Sequence, residues 1–154
     1  MNKRLLLVAP VLFVAALWFI PTSCTPYHRD NVLDQATRSF DTRSPDAQLE
    51  YAFENRLTHH LLGGRGTVTK LLGDDNQGRR HQRFILRVGS GRSLLVSHNL
   101  DLSRRIEELR VGDAVSFYGE YEWNEKGGVI HWTHHDPEGR HPAGWINHRG
   151  QMYQ

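Results

Sequence analysis

The chain has 154 residues, 38% of them hydrophobic and 23% charged. That balance excludes a fibrous protein, a multi-span membrane protein and disorder over the whole length, and the length is that of a single domain. The 19 basic and 17 acidic residues give +2, but Lys3 and Arg4 sit in a leading segment that holds no acid, and the rest of the chain carries 17 of each. The pI near 8.9 is therefore weak evidence for a nucleic-acid partner, which is disfavoured.

The N-terminus reads as an address. Residues 5–20 are apolar with one interruption at Pro10, and Pro21, Thr22, Ser23 and Cys24 follow. A basic start, a short apolar run and small residues form the layout of a secretory signal. The run reaches roughly 24 Å at about 1.5 Å per residue, short of the ~30 Å hydrocarbon core. A tilted single anchor still fits, because mismatch costs only fractions of a kcal/mol per Å. Cys24 is the sole cysteine and directly follows Ser23. This resembles the lipobox of bacterial lipoproteins, whose cysteine is lipidated; the departure is Pro21, where such boxes usually carry leucine. Three fates stay open for residues 1–24: lipidation at Cys24, an uncleaved anchor helix, or cleavage and secretion. All three put the remainder outside the cytoplasm, on the periplasmic side. With one cysteine, and that one in the leader, the mature domain has no disulfide.

Residues 25–43 are polar and weakly periodic and read as a tether. Ser44, Pro45 and Asp46 mark a helix start: the serine caps, the proline takes the first helical position and the acid meets the positive end of the dipole. Leu49, Ala52, Phe53 and Leu57 continue an apolar stripe at helical spacing. Gly63 and Gly64 are expected to end this helix, which then covers residues 44–63.

From residue 64 to 154 the pattern is one of short strands. The first three are expected over 66–72, 81–88 and 93–98. The second alternates, with Gln82, Phe84, Leu86 and Val88 on one face and His81, Arg83, Ile85 and Arg87 on the other. Asp101 or Ser103 is expected to cap a short helix with Leu102, Ile106 and Leu109 inward. Strands four and five are expected over 114–123 and 129–134, joined by a hairpin loop. Asp136, Pro137 and Gly139 fit a type I turn, and residues 145–153 fit one more hairpin. Three strands, a short helix and two strands is the order of an OB-fold, a five-stranded Greek-key barrel. The expected class is therefore mainly β, OB-like, with a helix before it; another small barrel or an open α+β sheet is the alternative.

Two side-chain sets carry the candidate chemistry. Residues 131–141 hold four histidines with Asp136 and Glu138, and imidazole plus carboxylate is the ligand set for zinc or another borderline divalent metal. In an extended strand His131 and His135 lie about 13 Å apart, so chelation requires the strand to stop near Thr133. His134 or His135, Asp136 and His141 then surround one turn, and His98 approaches from the end of strand three. The spacing matches no standard zinc motif, and hydrogen bonds that pin the loop account for the same residues. The second set is the arginines of strands two and three, Arg79, Arg80, Arg83, Arg87 and Arg92. Arg83 and Arg87 share a face with His81, and guanidinium groups suit anionic groups; a solvated face paired with Glu120, Glu122 and Glu125 is the alternative. Trp123 and Trp145 are candidate stacking platforms. There is no nucleophile elbow, and the glycines at 63, 64 and 66 lack the Lys-Ser/Thr of a phosphate loop.

Arg80-His81-Gln82-Arg83-Phe84, Ser97-His98-Asn99-Leu100-Asp101, Gly119-Glu120-Tyr121-Glu122-Trp123-Asn124, the run from Gly127 to Pro137, and Gly144-Trp145-Ile146 resemble a family of small bacterial proteins known as domain of unknown function 3465. The resemblance covers roughly residues 64–154. It implies a shared fold and brings no activity.

Two functions remain. One is a binding module for a polar or anionic ligand or an envelope partner protein, with His81, Arg83, Arg87 and Trp123 as binding residues and the membrane reached through the N-terminus. The other is a His-rich metal protein, either storing or sensing an ion or acting as a hydrolase. In that case His98, His134, His135, Asp136 and His141 hold the ion, and Glu138 or Asp101 serves as base.

Overall fold

The computed structural model describes residues 43–154; the leader with Cys24, and the tether as far as residue 42, lie outside the described residues. Helix α1 covers Pro45–Glu54. Ser44 is extended, and its Oγ accepts the Ala47 N–H at 3.3 Å, with Pro45 in the first turn and Asp46 at the positive end of the dipole. Leu49 and Ala52 are the buried face.

The helix ends at Glu54 and does not run to residue 63. Arg56 turns the chain in the left-handed region (φ 52°), and β1 begins at Thr58. Gly63 and Gly64 lie inside that strand, and at Gly64 the missing side chain permits close approach. A Cβ on Gly64 would sit 2.7 Å from Phe117 Cζ and 2.9 Å from Leu49 Cδ1, so the missing side chain is the notch in which α1 rests against the sheet.

Seven strands follow α1: β1 (Thr58–Leu71), β2 (His81–Val88), β3 (Ser93–Asn99), β4 (Ala114–Glu122), β5 (Val129–His131), β6 (Trp145–His148) and β7 (Gln151–Tyr153). β1, β2 and β3 form an antiparallel meander. β5 inserts between β3, to which it is parallel, and β4, to which it is antiparallel. β4 then pairs with β1 from Thr67↔Ala114 to Thr58↔Glu122. This pairing closes a five-stranded barrel and leaves those strands no free edge. β6 continues alongside β4 beyond the end of β5, and β7 pairs with β6.

The core lies inside the barrel. Phe84, Leu86, Val96, Val115, Phe117, Ile130 and Ile146 are all buried. The alternation of β2 holds throughout: Gln82, Phe84, Leu86 and Val88 face inward, while His81, Arg83 and Ile85 are half-buried and Arg87 is exposed.

The short helix expected between strands three and four does not form; residues 100–113 are a succession of turns. Barrel side chains take the backbone groups a helix would pair internally. The Gln82 amide donates to Ile106 O at 3.0 Å, and its oxygen accepts the Ile106 N–H at 2.9 Å. His98 Nε2 lies 3.2 Å from Arg104 O, and Asn99 Oδ1 accepts the Asp101 N–H at 2.8 Å. Of the three residues expected inward, Ile106 and Leu109 are buried on this non-helical backbone, whereas Leu102 is half-buried and lines the outer cleft.

Replacing Gln82 by leucine strands a buried donor and a buried acceptor on Ile106. Gln82→Leu is expected to lower stability by about 2–4 kcal/mol, read as a lower urea midpoint with an unchanged slope; an unaltered midpoint contradicts the arrangement.

Candidate functional site

The four expected ligand residues do not meet. His81 and Arg87 stand at opposite ends of β2, about 20 Å apart at 3.3 Å per residue, and open into different clefts. Arg83 is engaged by the β1–β2 loop: its Nε and a terminal nitrogen donate to Gly73 O at 3.1 and 3.0 Å, with Asp75 at 3.7 Å. Trp123 packs against the core, near Phe53 (6.3 Å between ring centres) and under Arg56. Of the other arginines, Arg80 pairs with Asp101 at 2.8 Å, and Arg92 pairs with Glu50 and lies over the Phe53 ring.

Of the five expected metal ligands, His98, His134 and Asp136 are committed to other partners. His98 is fully buried. Its Nε2–H donates to the Arg104 carbonyl, so Nδ1 accepts the Thr133 hydroxyl at 2.9 Å. Burial pushes its pKa down to about 4. His134 is buried and donates from Nδ1 to its neighbour's carbonyl at 2.9 Å, and burial holds its pKa below the ordinary imidazole value. His135 is exposed. The buried Asp136 carboxylate accepts the backbone N–H groups of Glu138, Arg140 and His141. This ties the turn expected at 136–139, which also closes through Gly139 N–H to Asp136 O at 3.1 Å. Among the described residues, these five are not a group whose ligand atoms converge on one point.

What the loop builds instead is a cleft of about 360 Å³ on the outer side of β2, β3 and the end of β5. Arg79 and His81 line it from the start of β2, Asn99 from the end of β3, and Trp132, Arg140 and His141 from the loop. His141 donates from Nδ1 to Pro142 O at 2.9 Å and stacks on Trp132, ring centres 4.2 Å apart at 12°. Gly144 makes this packing possible, because a Cβ there would fall 1.9 Å from Trp132 O. Asp136, the acid of the cleft, is spent on backbone N–H groups, and Arg140 pairs with Glu138 at 3.1 Å. Arg79 has no ion-pair partner among the described residues. The sequence placed Arg79 in the arginine set without assigning it a site, and it gave no sign of Asn99 or Arg140 at this position.

A second polar cluster lies at the seam of β1, β4 and β5. His59 Nδ1 is 2.8 Å from a Glu122 oxygen and 3.2 Å from a Glu120 oxygen, and His131 Nε2 is 3.4 Å from the same Glu120 oxygen. The sequence hid this group, because His59 fell within the expected helix and the glutamates were set against arginines.

A family model described as a protein of unknown function (DUF3465) matches residues 31–154. The match begins well upstream of residue 64 and takes in α1 and most of the segment read as a tether. No curated protein matches the chain.

His98 titrates near pH 6.5 in an unfolded chain and near 4 in the folded one. Between those values the unfolded state binds more protons. The stability His98 protects is therefore full above about pH 6.5 and falls by about 3 kcal/mol as the pH drops toward 4. His98→Gln is expected to flatten the fall in denaturant midpoint between pH 7 and pH 4.5; the same fall in parent and variant contradicts this.

Proposed function

The chain belongs to the DUF3465 family of proteins of unknown function, which supplies no activity, and from its geometry we propose an OB-like binding module for a small polar or anionic ligand, held at the outer face of a membrane. Residues 1–24 are the address, with anchorage through lipid at Cys24 or through an N-terminal helix, or with secretion if the leader is cut, and the residues up to 43 act as the tether. The basic, apolar, small-residue layout of the leader supports the location. Support for the OB-like reading comes from the meander β1–β2–β3 and the return of β5 between β3 and β4, a Greek-key path. The cleft lies on the β2–β3 side beside the β1–β2 loop, the region such modules use for ligands.

One observation carries the ligand class: Arg79 faces the cleft without a carboxylate partner among the described residues, while the cleft's own acid is consumed by backbone N–H groups. A guanidinium without such a partner, beside the His81 imidazole and the Asn99 amide, can seat an anion. Trp132, stacked on His141, supplies an apolar wall. A near-zero mature charge argues for a small anion or an anionic group on an envelope partner over a long polyanion.

Titrating the full chain with inorganic phosphate and with succinate, and following the Trp132 indole and Asn99 amide signals by NMR, tests this. Saturable shifts at those groups are expected, weakened at least tenfold in Arg79→Glu. Absent shifts at millimolar anion, or equal shifts in the variant, would falsify the assignment.

A further inference from the structure

We propose that His59, Glu120 and Glu122 bind one divalent transition-metal ion of the zinc class where β1, β4 and β5 meet, with the His131 imidazole beside them. None of the three ligands lines the anion cleft, and the site does not depend on it.

β4 carries the two carboxylates on one outward face, two residues apart, and each neighbouring strand supplies an imidazole. His131 on β5 stands directly opposite Glu120. On the other side, β1 pairs Thr58 with Glu122 and His60 with Tyr121, so His59 is an inserted bulge residue. It adopts φ 57°, a left-handed conformation that non-glycine residues seldom take. Bulges re-aim side chains and recur next to functional sites, and this one aims His59 Nδ1 at both carboxylates.

The separations fit a shared ion. With metal–ligand bonds of about 2.0–2.2 Å, ligand atoms lie roughly 3.0 Å apart in an octahedron and 3.4 Å apart in a tetrahedron. His59 Nδ1 lies 2.8 Å from the Glu122 oxygen and 3.2 Å from the Glu120 oxygen, and these three residues each aim one ligand atom at a common point; His131 Nε2, 3.4 and 3.8 Å from the same two oxygens, flanks that group. Thr58 Oγ1 donates to the other oxygen of Glu122, which orients the carboxylate and leaves Oε1 for the cluster, the part an outer-shell partner plays.

Internal hydrogen bonding leaves the cluster incomplete. His131 Nε2 is buried and has no hydrogen-bond partner. The Glu120 side chain is 7% exposed, yet among the described residues neither glutamate meets a lysine or arginine. Among the described residues these two carboxylates, one of them buried, meet only imidazoles and the Thr58 hydroxyl, and a divalent cation would balance that charge. Mixed imidazole and carboxylate ligands favour zinc and its neighbours over calcium or magnesium. His59 is 74% exposed on its side chain, which gives the ion a route in and leaves a coordination position toward solvent.

Titrating the full chain, freed of metal, with zinc alone and with cobalt as a spectroscopic probe tests the site. One ion per chain at micromolar zinc is expected, unaffected by millimolar calcium. His59→Ala and Glu120→Gln are each expected to weaken binding at least tenfold; the exposed His59 makes its variant the one that leaves the fold intact. Arg79→Glu and the double variant His135→Ala with His141→Ala are expected to bind zinc as the parent does. No stoichiometric binding at micromolar zinc overturns the proposal. So does binding that survives both ligand variants, or binding lost only with His135 and His141.

Discussion

The β1–β4 ladder is the contact on which the rest of the molecule depends. β1 is 14 residues long, enough to bond β4 with its first part and β2 with its second. That double use turns a meander into a closed barrel. It also fixes the side-chain geography, because the register that sets Thr58 beside Glu122 sends Phe117 and Tyr121 inward and Glu120 and Glu122 outward. Gly64 and Gly119 are permissive at this seam: the first admits Leu49 and Phe117, and at the second a Cβ would fall 2.4 Å from His131 O.

Inside the closed barrel, polar side chains do what regular secondary structure does elsewhere. Gln82 and His98 point inward from β2 and β3 and satisfy backbone groups of Arg104 and Ile106. Thr133 reaches His98 from the segment after β5. Buried backbone groups require partners wherever they find them, and here partners across the barrel outcompete those along the chain. The same segment, pinned through Asp136 and packed through Gly144, shapes the cleft on the outer side.

Much of the barrel was legible because its signals are local. The alternation over 81–88, the turn at 136–139 and the cap at Ser44 each depend on residues that are near neighbours in sequence. What misled were residues whose role is set by distant partners. Gly63 and Gly64 look like a helix stop, yet both lie within β1, and Gly64 is small for the sake of Leu49 and Phe117. Leu102, Ile106 and Leu109 have helical spacing, but the backbone there belongs to Gln82 and His98. The histidines of 131–141 stand out by composition, yet burial and hydrogen bonds commit His98 and His134. His59 draws no notice in the sequence, and only the bulge and the strand register bring it to Glu120 and Glu122.

His131 joins the two surfaces: its ring lines the cleft, and its Nε2 meets the seam cluster. Both surfaces presuppose that β1 and β4 are bonded. Amide hydrogen exchange along β1 addresses this most directly. The account predicts that alternate amides between residues 60 and 67 exchange as slowly as those in the centre of β2. Fast exchange throughout 58–67 while β2 and β3 stay protected would mean an open sheet, and would contradict it.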